Sequence, residues 1–286
     1  MDELFLRAYA KINPGLDVLG KREDGYHEVR MIMQTVRLYD KILLKKKEEP
    51  GFVIETNLGF LPVNEDNLMY RAAELLFEAF GLPGGLYMKL SKYIPVSAGL
   101  GGGSSDAAAV LFGINRMYEL GLTQEELEKF GVKIGADVPF CIRRGTALSE
   151  GIGEKLTTLP AFPKCYVVLA KPGVSVSTKA VYQKLDETPV PVHPDIDGMK
   201  EALKGGDLKG ITDRMANVLE YVTIPMHPGI GTIKEFLMNA GAMNALMSGS
   251  GPTVFGIFDN LDDAKKAVFG LRRTRLASSV LIADMY

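Results

Sequence analysis

The chain has 286 residues, 47% of them apolar and 24% charged, the balance of a water-soluble globular protein that can bury a core without staples. Its formal net charge of -2 excludes a broad attraction to nucleic acid or to an anionic membrane, so an anionic ligand would need a local positive site. Cys141 and Cys165 are the only cysteines, too few for a disulfide framework and without zinc-type spacing, and are expected as buried apolar thiols.

The Met1-Asp2-Glu3 start has no apolar signal region, and a cytoplasmic enzyme is the expectation. The first 56 residues read as short β runs at 4–6, 16–19, 29–36, 42–44 and 52–54, with turns at Asp24-Gly25, Asp40 and Pro50-Gly51. Leu68, Met69, Ala72, Leu75, Leu76 and Ala79 lie at helical spacing, and Gly81 is a stop signal. Met88 and Leu90 suggest a strand that leads into a glycine-rich loop at 99–103. The next helix is expected to begin at Ser104 or Ser105 as N-cap. Thr123 to Glu126 forms a capping box, and Asp137 precedes Val138-Pro139 as a second cap candidate.

Strands resume at 146–148 and 166–169. Segments 199–204, 207–221 and 228–240 read as helices, and 245–247, 254–258 and 279–283 as strands, with a helix at 262–272 between the last two. The uncharged stretch Phe236 to Phe258 is long enough for a membrane span. Its asparagines and its Ser248-Gly249-Ser250-Gly251-Pro252 run favour a buried helix, a turn and a strand instead. The order of elements implies an α+β sandwich, with a soft boundary near 158–163.

The segment from Pro95 to Ala109 carries the strongest chemical signal. Four glycines between 99 and 103 let the backbone approach a ligand, and a helix then opens with unpaired N–H groups and a partial positive charge. Phosphate is the natural guest of such a bend. A glycine turn that merely lets Ala107 to Ala109 pack closely is the bland alternative. No Gly-Lys-Ser/Thr ending follows the loop, and no acidic residue stands where a dinucleotide fold would place one, so neither common nucleotide motif fits.

This loop resembles the signature phosphate loop of the GHMP kinases. Two more blocks of that family occur in order, Ala10-Lys11-Ile12-Asn13 and Met247 to Thr253. Asp24 to Glu28, Gly135 to Phe140 and Lys171 to Thr178 with Tyr182 resemble one branch in particular, which acts on a cytidine-diphosphate-linked alcohol. The resemblance implies a two-lobe α+β fold: an N-terminal ATP-binding lobe like ribosomal protein S5 over 1–158, and a C-terminal ferredoxin-like α/β sandwich over 159–286. It implies ATP and Mg2+ as cofactors, a small-molecule substrate, and a monomer or homodimer. Lys11 and Asp137 are its implied catalytic pair. Pro95, Val96, Ser97, Ala98, Gly99, Leu100, Gly101, Gly102, Gly103, Ser104 and Ser105 would bind ATP. Asn13, Tyr26, His27, Thr178 and Tyr182 would bind the acceptor, the two tyrosines by stacking on a flat base. Taken singly, Lys11 reads as a surface lysine, His27 as a solvated side chain and Tyr182 as helix-face packing. Another GHMP kinase, or a non-catalytic sensor on the same scaffold, is the rival reading.

Overall fold

Two long strands open the computed structural model, which describes all 286 residues: β1 (Glu3–Lys21) and β2 (His27–Lys47), followed by β3 (Gly51–Thr56). The five short runs expected here are thus three strands, and Asp40 is not a turn. The reason lies in what β2 pairs with. Its residues 29–34 run antiparallel to β5 (Thr146–Gly151), and its residues 41–47 run antiparallel to β4 (Gly85–Ser91). One strand serves two ladders in succession, and local pattern shows this as a break. Asp40 sits near the changeover and is fully buried.

The chain forms two compact units, each assembled from separated segments. The first comprises Met1–Ala10, Leu38–Val96 and Gly101–Arg144. In it β3 pairs parallel to β4, and α1 (Leu68–Phe80) packs on α2 (Gly102–Met117). Asn67 caps α1 through its side chain, and Gly81 ends it in the left-handed conformation. Helix α2 is capped three or four residues earlier than expected. Gly101 is its cap position at φ 67°, so Ser104 and Ser105 fall inside the first turn. The apolar core of this unit joins Ile42, Leu44, Met69, Leu76, Met88 and Ile114. Gly113 lets α2 lie close to the sheet, because a side chain there would run into Leu44 and Leu6. The capping box opens α3 (Gln124–Val132) as expected. Asp137 holds the cap position of α4 (Val138–Arg143), but its side chain makes no capping hydrogen bond.

The second unit comprises Lys11–Arg37, Ser97–Leu100 and Gly145–Tyr286. Strand β5 pairs with β6 (Lys155–Thr158). An antiparallel four-stranded sheet follows in the order β11-β7-β10-β9, from β7 (Tyr166–Lys171), β9 (Asn244–Met247), β10 (Val254–Phe258) and β11 (Ser279–Asp284). Every residue of β10 is buried, as a central strand between two partners requires. Helices α5 (Thr178–Leu185), α6 (Ile196–Lys204), α7 (Leu208–Thr212), α8 (Glu220–Met226), α9 (Gly229–Asn239) and α10 (Leu261–Thr274) complete the unit, with α9 and α10 packed on the sheet. Residues 207–221 are not one helix. Between α7 and α8 the short strand β8 (Ala216–Asn217) pairs parallel to Gly15 and Leu16 of β1. The uncharged stretch 236–258 is the end of α9, then β9, a turn and β10, and no helix of the chain is long and apolar enough to cross a membrane.

Candidate active site

Three sequence blocks far apart in the chain meet within the second unit. The Lys11 N–H donates to the Leu100 carbonyl (3.0 Å), and the Thr253 N–H to the Ala98 carbonyl (3.3 Å). Ser248 Oγ donates to the Gly99 carbonyl (2.9 Å). Gly99 stands at φ 75°, and any side chain there would collide with the Ser248 carbonyl, so glycine is required on both counts. At Gly249, φ 57°, a Cβ would lie 3.4 Å from Lys11 Nζ, 3.5 Å from the Gly99 carbonyl and 3.6 Å from Asn13 Oδ1. Lys11, the glycine bend and the C-terminal glycine block therefore converge on one point.

Lys11 is only 5% exposed, and its ammonium donates to Asn13 Oδ1 at 2.8 Å. The surface-lysine reading is set aside by that burial. Asn13 is buried too, its amide directed at Met31 Sδ (3.3 Å), which orients the oxygen toward Lys11. Asn217 ties the C-terminal block down, donating from Nδ2 to the carbonyls of Met247 and Gly249, both at 2.8 Å. Thr178, the first residue of α5, shares a 2.7 Å hydroxyl hydrogen bond with Ser250.

The expected base-binding residues also lie in this unit. His27 and Tyr182 rings are 4.9 Å apart at 40°, while Tyr26 on the preceding turn is 60% exposed. His27 Nε2 lies 2.7 Å from Asp186 Oδ1, and Lys21 Nζ lies 2.7 Å from Asp186 Oδ2. Lys21 and then His27 hold the Asp186 carboxyl below its ordinary pKa.

The remaining expected residues, Pro95, Val96, Gly101 to Ser105 and Asp137, belong to the first unit. Gly103 is exposed, Ser104 half-buried and Ser105 buried at the start of α2. Asp137 is half-buried. Beneath this helix start lies a charge cluster that motif reading missed. Lys92 Nζ donates to Asp40 Oδ2 and to Asp106 Oδ2, both at 2.6 Å. Asp40 Oδ1 also accepts from the backbone N–H groups of Tyr93 and Ile94, which lead into the loop. A Cβ on Gly102 would come within 2.9 Å of Lys92 Nζ, so the ammonium lies directly under the first turn. All three groups are buried, and Asp106 Oδ1 has no partner.

Burial opposes the Lys92 charge, but Asp106 and Asp40 outweigh it and hold its pKa above the usual lysine value. One ammonium balances one carboxylate. Burial pushes Asp106 well above the carboxylate range, Lys92 offsets part of this, and Asp40 adds to it. Asp106 is the excess acid of the cluster. Lys92 stands three residues before Pro95 and Asp106 lies inside the loop motif, but their pairing through Asp40 is a long-range fact with no local signal.

The model of the GHMP kinases N terminal domain matches residues 67–145, and that of the GHMP kinases C terminal matches residues 199–275. The chain is 59% identical over 258 residues to the 4-diphosphocytidyl-2-C-methyl-D-erythritol kinase of Lachnospira eligens, covering 90% of each chain. It belongs to the GHMP kinase family. A relative of the same name from Alkaliphilus metalliredigens is 48% identical over 98% of this chain and 97% of its own. Among solved structures, the crystal structure of a 4-(cytidine 5'-diphospho)-2C-methyl-D-erythritol kinase matches with a TM-score of 0.84 at 33% identity, covering 99% of both chains. The homoserine kinase of Cytophaga hutchinsonii matches at 22% identity with a TM-score of 0.79, covering 100% of this chain and 94% of its own, which shows the shared fold. The two-lobe α+β GHMP kinase fold expected from the motifs is the fold of this chain.

Proposed function

We propose that this chain is an ATP-dependent kinase that phosphorylates the 2-hydroxyl of 4-diphosphocytidyl-2-C-methyl-D-erythritol, a step of non-mevalonate isoprenoid synthesis. The observation that carries the substrate is identity of 46–59% to relatives of that name over most of the chain. The geometry supports the chemistry. Phosphoryl transfer needs positioning and charge stabilisation, with little covalent work for the protein.

Each residue has a part in this reading. Backbone N–H groups of the loop 95–105, at the start of α2, hold the ATP phosphates. Lys11 neutralises charge on the transferred group. Its ammonium, held by Asn13 Oδ1 at 2.8 Å beside the glycine bend, carries the positive charge for that role. Asp137 accepts the proton of the acceptor hydroxyl. Asn13 and Thr178 bind hydroxyls of the methylerythritol chain, and the Thr178–Ser250 bond leaves the Thr178 hydroxyl acceptor capacity. Tyr26 and Tyr182 stack on the cytosine, and His27 meets its edge. No group of three or more acidic, His or Cys side chains forms a metal cage. Mg2+ bound with the nucleotide phosphates would take a loop serine as protein ligand and would spread the phosphate charge. The division at 158/159 into an ATP-binding and a C-terminal lobe belongs to the same reading; it falls between the two family matches, whereas the second compact unit also takes in Lys11–Arg37, Ser97–Leu100 and the stretch from Gly145. A cytoplasmic location and a monomer or homodimer without a nucleic-acid partner belong to that reading too.

Two variants and a panel of acceptors test the reading. Asp137→Asn should lower turnover about 10²–10⁴-fold, the span of a general base. Lys11→Ala should abolish transfer while ATP still binds and circular dichroism stays native. Wild-type protein should use the cytidine-diphosphate-linked acceptor and ignore mevalonate and homoserine. Full turnover by Asp137→Asn removes that residue from the chemistry, and preference for mevalonate or homoserine refutes the substrate.

A further inference from the structure

The last turn of α5 and its C-terminal cap residue deliver two groups to one histidine. Tyr182 and Asp186 are four residues apart, the Asp186 N–H donating to the Tyr182 carbonyl (3.3 Å), so their side chains share a helix face. The Tyr182 ring lies against the His27 ring, and the Asp186 carboxylate takes its Nε2 edge at 2.7 Å. The His27 side chain is 9% exposed in this clamp. The second Asp186 oxygen takes Lys21. Lys21 and His27 are the two ends of the turn that carries Tyr26. That turn is closed by the Arg22 N–H to the Tyr26 carbonyl (2.8 Å) and by the Tyr26 N–H to Asp24 Oδ1 (3.1 Å). Asp186 thus fastens the turn bearing one tyrosine to the helix bearing the other.

The chemistry of a neutral imidazole makes this contact more than a fastening. A carboxylate only accepts, so the nitrogen facing it must carry the proton, and the other nitrogen must be an acceptor. We propose that Asp186 is a positioning residue for base recognition: it holds His27 as the Nε2–H tautomer, so that Nδ1 presents a lone pair that accepts from the 4-amino group of cytosine. A 4-oxo pyrimidine offers only another acceptor there and is rejected, since a site built for a donor leaves a polar group unpaired when the donor is missing. This inference rests on the cytidine reading above and names the group that makes it selective.

The test pairs kinetics with nitrogen NMR. Asp186→Ala should raise KM for the cytidine acceptor about tenfold, more than it lowers kcat, because a charged hydrogen bond is lost from the binding site. The ratio of kcat/KM for the cytidine acceptor over its uridine counterpart should fall by a similar factor, while KM for ATP stays put. Asp186→Asn keeps an acceptor oxygen and should restore part of the preference. In the neutral ring, wild-type His27 should show a protonated Nε2 and a bare Nδ1, and Asp186→Ala should lose that fixed tautomer. An unchanged cytidine preference in Asp186→Ala, or a wild-type Nδ1–H tautomer, overturns the proposal while leaving the kinase reading intact. If wild type phosphorylates no cytidine acceptor, the kinase reading fails by itself, and the wild-type and Asp186→Ala nitrogen shifts decide the role of Asp186.

Discussion

Two clusters in this molecule use nearly the same ingredients and do opposite work. In the first unit one lysine, Lys92, faces two carboxylates, Asp40 and Asp106, with side-chain exposures of 5%, 0% and 4%. In the second unit one carboxylate, Asp186, faces a lysine and a histidine, with the lysine 57% exposed and the carboxylate 27%. Burial decides the difference. Where water is excluded, every unmatched charge is costly and the cluster is bound up with the fold. Where water reaches the pair, the contact contributes little to stability and is available to orient a ligand.

Breaking the buried cluster should therefore have the largest effect. Asp40→Ala strips Lys92 of one counter-ion and two loop N–H groups of their acceptor, and should cost about 3–5 kcal/mol, the usual loss when a buried pair is cut on one side. Urea unfolding measures it, and a loss within error would mean that the cluster relaxes into solvent. Asp106→Asn sharpens the comparison through pH. The raised pKa of Asp106 means that the folded chain binds this proton more tightly than the unfolded one. Its contribution is then most favourable below the ordinary carboxylate range and is lost as pH rises through the folded-state value. The amide keeps an acceptor for Lys92 and carries no charge. Asp106→Asn should gain stability over wild type at neutral pH, with the gain shrinking toward acid; a gain that grows toward acid would contradict the assignment of Asp106 as the excess acid. The smallest effect belongs to the exposed cluster. Lys21→Ala should leave the urea midpoint unchanged, and a large drop would show that this contact is structural.

What could be read from sequence divides along the same line. The capping box at Thr123, the stop at Gly81, the glycine bend and the helix–turn–strand course of 236–258 depend on neighbours in the chain, and each was legible. Lys11 and Asn13 were legible through motif resemblance, and their burial explains why a lysine sits in an apolar run. Asp40 was read as a turn because an acid between two apolar runs usually is one; its partners are 52 and more residues away. Asp186 carries no motif at all, since its meaning comes from Lys21 and His27, which are 165 and 159 residues distant. The helix expected over 207–221 failed at Asn217, whose side chain serves the Met247 and Gly249 carbonyls and whose backbone joins β1.

The most direct test of the whole account is the mass of the acceptor after incubation of wild-type protein with ATP, Mg2+ and 4-diphosphocytidyl-2-C-methyl-D-erythritol. The account predicts the gain of one phosphate, located on the 2-hydroxyl by phosphorus–proton NMR coupling, and no gain with the Lys11→Ala variant. An unmodified acceptor, or one phosphorylated equally well by that variant, would contradict it.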